Sequence, residues 1–170
     1  MATVTADTAF DTDFCWQRRF LPEMKRIIGE NLIAEASAFE DQQHNTDLIV
    51  LHLGAVRVAC RVRRHHYLSK YGDEFTIRTD RTSGAKTELS KLIEGFGDYF
   101  LYGFSDESET YLCQWFLGDL KAFRLWLFRY MATNHGKMPG FKGKNVDHKA
   151  STFYAFKVAE VNGFVKARHP

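Results

Sequence analysis

Cysteine and proline are scarce in this chain, and long apolar runs are missing altogether. The three cysteines, Cys15, Cys60 and Cys113, are odd in number, and no two stand at the spacing of a zinc or redox motif. Cys60 and Cys113 fall inside apolar runs and read as small buried hydrophobes, which argues for a reducing, cytoplasmic compartment. The three prolines form no Pro/Ser linker, and there is no internal repeat or low-complexity tract. No apolar run approaches the roughly 20 residues that a membrane-spanning helix needs, so a membrane is not expected as a partner. Residues 1–14 lack the basic start and apolar block of a secretory leader. Residues 1–13 are expected to be a flexible lead-in to one domain over 14–170. Glycine-rich phosphate loops, an ordered Ser-His-Asp set and zinc signatures are all missing, which removes the commonest routes to nucleotide hydrolysis, acyl transfer and structural zinc.

What is present is apolar and aromatic. Of 170 residues, 45% are hydrophobic and 15% aromatic, enough to build a core without a disulfide or metal staple and to leave some rings for an interface. Net charge is only +2, but its distribution is uneven. Residues 1–56 carry four basic and nine acidic side chains, a balance of −5, whereas residues 57–91 carry nine basic and four acidic, a balance of +5. An acidic region beside a basic one is what a metal site next to a phosphate track would look like. A solvated surface whose charges pair internally is the plainer account.

The pattern predicts a first helix over about Phe14 to Leu32, restarted at Pro22, and a short strand within Ile33 to Phe39. Asp47 to Leu53 reads as a buried strand. Val56 to Arg63 is the clearest strand: Val56, Val58, Cys60 and Val62 on one face, and Arg57, Ala59, Arg61 and Arg63 on the other. Glu74 to Arg78 is a further strand. Thr87 caps a helix from Glu88 to Phe96, ended by Gly95 and Gly97. Tyr99 to Phe104 and Tyr111 to Leu117 form a hairpin across an acidic loop. Asp119 caps an apolar helix to about Met131, Asn134 to Ala150 reads as a Gly- and Lys-rich loop, and Thr152 to Val158 is the last strand. This order predicts an α/β fold with a mixed sheet flanked by helices.

From the first helix to Phe104, somewhat over half the chain, the sequence resembles the PD-(D/E)XK (restriction-endonuclease-like) superfamily, in its Holliday-junction-resolvase-like branch. The residues that carry the resemblance are Asp47-Leu-Ile-Val-Leu, as the Asp-bearing strand, and Arg57-Val-Ala-Cys-Arg-Val-Arg63, as the strand that bears (D/E)-x-K. The resemblance implies an αβββαβ core, here with a C-terminal helix-strand extension, and a partner that is nucleic acid, DNA rather than RNA. It further implies Mg²⁺ held by Asp47 with Glu23, Asp41 or Glu88, and catalytic roles for Asp47, Glu88, Lys91 and Arg63. The motif is degenerate. Arg61 stands where the second carboxylate belongs and Arg63 where lysine belongs, and a guanidinium repels a cation rather than binding one. Two readings follow: a metal-dependent nuclease whose charged residues have moved to Glu88 and Lys91 on the helix, or a catalytically inactive module of the same fold that binds nucleic acid or a protein. Many members of the superfamily pair as homodimers, which exposed aromatics here would permit.

Each candidate has a structural alternative. Asp47 is a metal ligand or a turn carboxylate ahead of its strand. Arg57, Arg61, Arg64, Arg78 and Arg81 contact phosphate, or they decorate solvated surface and pair with neighbouring acids. Glu88 and Lys91, three apart, form an intrahelical ion pair or supply the migrated charges. His65 and His66 read as a basic surface loop. Phe123, Trp126, Leu127 and Tyr130 recur at helical spacing and read as core rather than as a base-stacking platform.

Overall fold

The computed structural model describes residues 15–35, 48–50, 56–79, 87–144 and 152–170. Asp41, Asp47, Arg81 and the lead-in over 1–13 lie outside the described residues.

A turn of helix over 15–18 leads into helix α1 (Leu21–Leu32), with Pro22 in the first turn, where its missing N–H costs nothing. Strands β1 (Ile33–Glu35) and β2 (Leu48–Val50) pair antiparallel. Then follow β3 (Val58–Arg63), a single 3-10 turn (His65–Tyr67), a short helix α2 (Leu68–Tyr71) and β4 (Glu74–Arg78). Helix α3 (Glu88–Ile93) precedes β5 (Tyr99–Ser105) and β6 (Leu112–Asp119). Helix α4 (Leu120–Thr133) is followed by β7 (Phe141–Lys144), β8 (Thr152–Lys157) and β9 (Val165–His169).

The result is an α/β fold with mixed pairing. One sheet runs β3-β5-β6-β9, with β3 and β5 parallel and the other pairs antiparallel. A second sheet runs β4-β8-β7 and is antiparallel throughout. The parallel β3–β5 pair needs a crossover, and the segment carrying β4 and α3 supplies it. β5 alternates between two cores, as a strand buried on both faces requires, whereas β3 buries one face only. Val58, Cys60, Val62 and Leu101 pack against Phe20, Met24 and Ile27, so α1 covers one face. Phe100, Tyr102 and Phe104 point the other way, into a cluster with Phe75 of β4, Phe156 of β8, and Phe123 and Leu127 of α4.

Several sequence expectations need correction. The expected order helix, hairpin, strand, helix, strand is interrupted by α2 and β4 between β3 and α3, and the strands do not share one sheet. Among the described residues β1 and β2 pair only with each other, and β4 leaves to pair with β8. The stretch read as a loop from Asn134 to Ala150 contains β7, and Thr152–Lys157 is not the last strand, because β9 follows it. The helix expected to reach Phe96 stops at Ile93. The caps stand where the sequence places them: Thr87 Oγ1 accepts from Ser90 N at 3.2 Å, and Asp119 Oδ1 accepts from Lys121 N and Ala122 N at 2.8 and 3.1 Å. Phe123 and Leu127 are buried, as read, whereas Tyr130 is exposed. No helix among the described residues is long and apolar enough to cross a membrane.

The hairpin loop between β5 and β6 is organised by Asp106. Its carboxylate accepts from the Ser108 hydroxyl, from Thr110 N at 2.7 Å and from Tyr111 N at 3.0 Å. Burial works to raise the Asp106 pKa, but these hydrogen bonds outweigh it and hold the carboxyl well below the usual carboxylate range.

The cysteines are free. Cys15 is exposed, whereas burial pushes the Cys60 thiol from an ordinary 9.0 up to about 11 and raises Cys113 as well. The Cys60 thiolate population at mildly alkaline pH is therefore about a hundredfold below that of an unshifted thiol. At pH 8 a thiol-specific chromophore should titrate one fast thiol per folded chain, absent from a Cys15→Ser variant. Three fast thiols would show that the β3 and β6 cysteines are accessible.

Candidate nucleic-acid interface

The strand β3 presents its arginine face towards β4 and α3, and a cleft of about 290 Å³ opens between them. Its floor is apolar, from Ile77, Leu92, Phe100 and Leu120. Its polar lining is Arg57, Glu88 and Lys91, and Phe96 forms part of the wall.

The wall is held by backbone interactions that the sequence dictates locally. Gly95 and Gly97 sit at φ 92° and 83°, a region that side-chain-bearing residues avoid, so the Gly-Phe-Gly step can turn sharply out of α3. Arg124 Nη1 of α4 donates to Gly97 O at 3.1 Å, and Leu120 N donates to Asp98 O at 2.9 Å. Asp98 in turn closes on the start of β3: its carboxylate accepts from Arg57 N at 2.8 Å, and its own N–H donates to Arg57 O at 2.8 Å. The Arg57 backbone is thereby fixed while its side chain stays exposed at the rim.

Arg61 is the central contact. Its guanidinium donates to Thr76 O at 3.1 Å and to Thr76 Oγ1 at 3.2 Å, and its second terminal nitrogen forms an ion pair with Glu88. The other Glu88 oxygen accepts from Arg78 N at 2.9 Å. Glu88 therefore ties β3, β4 and α3 together. The expected intrahelical pair with Lys91 is not what forms: the Glu88 carboxylate turns instead to Arg61, 27 residues away, and Lys91 lines the cleft. Arg61 has a strand and a helix packed over it, so a partner in reach across the sheet outcompetes an i,i+3 partner that would leave the guanidinium without an anion.

The remaining sequence candidates divide between two sides of the sheet. Arg63 stacks over Tyr67 and Tyr71, at 4.4 and 5.2 Å from the ring centroids. Arg64 turns to the other side, where it bonds Glu109 of the β5–β6 loop at 2.8 Å and lies 4.8 Å from the ring of Trp16 in the helical turn ahead of α1. Trp16 Nε1 donates to the same Glu109 at 2.6 Å. Glu23 is on α1, its carboxylate accepting from Leu112 N at 2.7 Å. Thus Arg57, Glu88 and Lys91 share one cleft with Arg61 paired beside it, whereas Glu23 and Arg64 belong to the opposite face. Phe96 and the apolar floor are additions that the sequence reading did not nominate. The available signal was a phenylalanine held between two glycines, beyond the helix's apolar stripe.

The resemblance implies Mg²⁺, which takes near-octahedral oxygen ligands and commonly one or two carboxylates. Of the carboxylates named for that role or for catalysis, Glu88 alone is at the cleft among the described residues, and Arg61 already neutralises it. The described residues contain no group of three or more His, Cys, Asp or Glu side chains that could hold a metal ion. Glu88, in contact with a guanidinium, offers a cation as much repulsion as attraction, and Asp41 and Asp47 lie outside the described residues.

No protein-family model matches the chain, and neither a curated protein nor a solved structure matches it.

Proposed function

We propose that this chain is a nucleic-acid-binding domain of the restriction-endonuclease-like type, which takes DNA in preference to RNA at the β3–α3 cleft and holds it without cutting it. The observation that carries this reading is the Arg61–Glu88 pair. Where the resemblance calls for a second metal-binding carboxylate on β3, the chain has a cation, and the carboxylate that reaches the position comes from α3 and is spent on neutralising that cation. What is left for a ligand is Arg57 and Lys91 on the rim, both exposed. Positive side chains flanking a cleft suit a phosphate backbone, and the energy of such contacts comes largely from released counterions.

The test is the salt dependence of affinity for single-stranded and branched DNA. Each phosphate contact adds about 0.7 (single strand) to 0.9 (duplex) to the slope of log K against log salt. Arg57→Ala with Lys91→Ala should therefore flatten the slope by about 1.4 on single strands and weaken binding similarly across sequences. Binding that ignores salt, or no binding at all, overturns the reading and points to a protein partner.

A second reading is a metal-dependent nuclease with migrated residues. It is favoured by one observation: Glu88 and Lys91 do line the same cleft beside β3. Mg²⁺-dependent cleavage of branched DNA that Asp47→Ala abolishes would establish it over the binding module.

A further inference from the structure

The cleft is more than a charged rim. Phe96 is 56% exposed at the cleft wall, whereas most of the other phenylalanines among the described residues are buried. The floor of Ile77, Leu92, Phe100 and Leu120 is the edge of the larger core, apolar and largely buried, so Phe96 supplies the open apolar face of the cleft. Arg57 and Lys91 stand on the rim, and Glu88 has accepted two hydrogen bonds where a carboxylate has about four lone-pair sites.

We propose that this cleft receives a single unstacked nucleobase, with its face against Phe96 and its flanking phosphates on Arg57 and Lys91. The inference rests on the nucleic-acid reading and deepens it by naming the part of the polymer that is bound. Three features converge. A volume of about 290 Å³ is at the small end of ligand sites, suited to one ring system rather than to a helical groove. An apolar floor with an aromatic wall matches the π-face of a base, and stacking of this kind tolerates any base. Cations at the mouth are where the phosphates on either side of an inserted base must pass. A base within a duplex reaches such a pocket only by leaving its stack, so the ligand favoured is a single strand or an unpaired position in a branched one.

The experiment titrates the full chain with labelled oligothymidylate, with an abasic deoxyribose-phosphate chain of equal length, and with duplex DNA. Oligothymidylate should bind about five- to a hundredfold more tightly than the abasic chain, the effect of one stacked base. Phe96→Ala should erase that preference while leaving the abasic affinity, the duplex affinity and the salt slope unchanged. Phe96→Tyr should keep it. The exposure of Phe96 makes both variants compatible with the fold, and thermal unfolding checks this. Equal affinity of the native chain for oligothymidylate and the abasic chain overturns the base pocket but leaves the nucleic-acid reading standing, and so does a preference that survives Phe96→Ala. Failure of all three ligands to bind overturns both.

Discussion

Replacing Phe75 by alanine should remove about 3–5 kcal/mol of folding stability, a large part of the roughly 5–15 kcal/mol that a domain possesses. Phe75 is fully buried on β4. Its ring centroid lies 5.0–6.4 Å from those of Phe100, Tyr102, Phe116, Phe123, Phe156 and Phe164. These rings come from both sheets, from α4 and from the segment before β9, so one side chain touches each layer that encloses the larger core. Edge-to-face pairs add about 0.5–1.5 kcal/mol beyond their buried area, and several would be lost together. The neighbours are themselves rigid rings held in a close-packed cluster, so they cannot collapse inward to fill the void, which places the cost towards the upper end of the range. Urea unfolding should show the midpoint falling by on the order of 2 M at an unchanged slope. Phe75→Leu should cost much less, because it keeps most of the volume. A midpoint shift under about 0.5 M for the alanine variant would mean that the two sheets are not joined through this ring.

That cluster also explains why some of the architecture is legible in the sequence and some is not. β3 announces itself because it is buried on one face and cationic on the other, which makes its alternation sharp. The β5–β6 hairpin and the Asp119 cap are equally local signals. β7 and β9 are not, since Phe-Lys-Gly-Lys and Val-Lys-Ala-Arg-His are sheet-edge strands that bury little and so carry few apolar residues. Nor does any local pattern disclose that β4 abandons its sequence neighbours for β8, with Phe75 set opposite Phe156. That pairing is decided by which aromatic faces fit one another in three dimensions. The site divides in the same way. Arg57 at the rim, and Glu88 and Lys91 on one helix, follow from pattern and resemblance. The Arg61–Glu88 pair depends on α3 crossing over β3, and an i,i+3 spacing pointed instead to Lys91.

Glu88→Gln should tighten DNA binding by about tenfold, and the sign is the informative part. In the native chain the Arg61 side chain is 18% exposed and that of Glu88 39%, so the pair sits between a surface ion pair and a buried one. Glutamine preserves the shape and keeps a carbonyl for Arg78 N, but it removes the anion. Arg61 then carries an uncompensated positive charge beside the cleft, and a phosphate is the anion best able to replace the lost one. Hydrogen bonds to charged groups contribute about 1.5–3 kcal/mol. Discounting for the partial exposure of the site brings the gain near 1.4 kcal/mol, which is the tenfold change. The salt slope should steepen by about 0.7 on single strands, the signature of one added phosphate contact. Folding stability should fall, because a buried guanidinium loses its partner. A cutting enzyme predicts the reverse pattern: the same variant would leave affinity flat or lower and would abolish Mg²⁺-dependent cleavage. Measuring affinity and cleavage side by side for Glu88→Gln therefore separates a carboxylate that restrains a phosphate-binding arginine from one that serves chemistry. Unchanged affinity with no cleavage in either protein would eliminate both roles and leave the pair as a fastening between β3 and α3 alone.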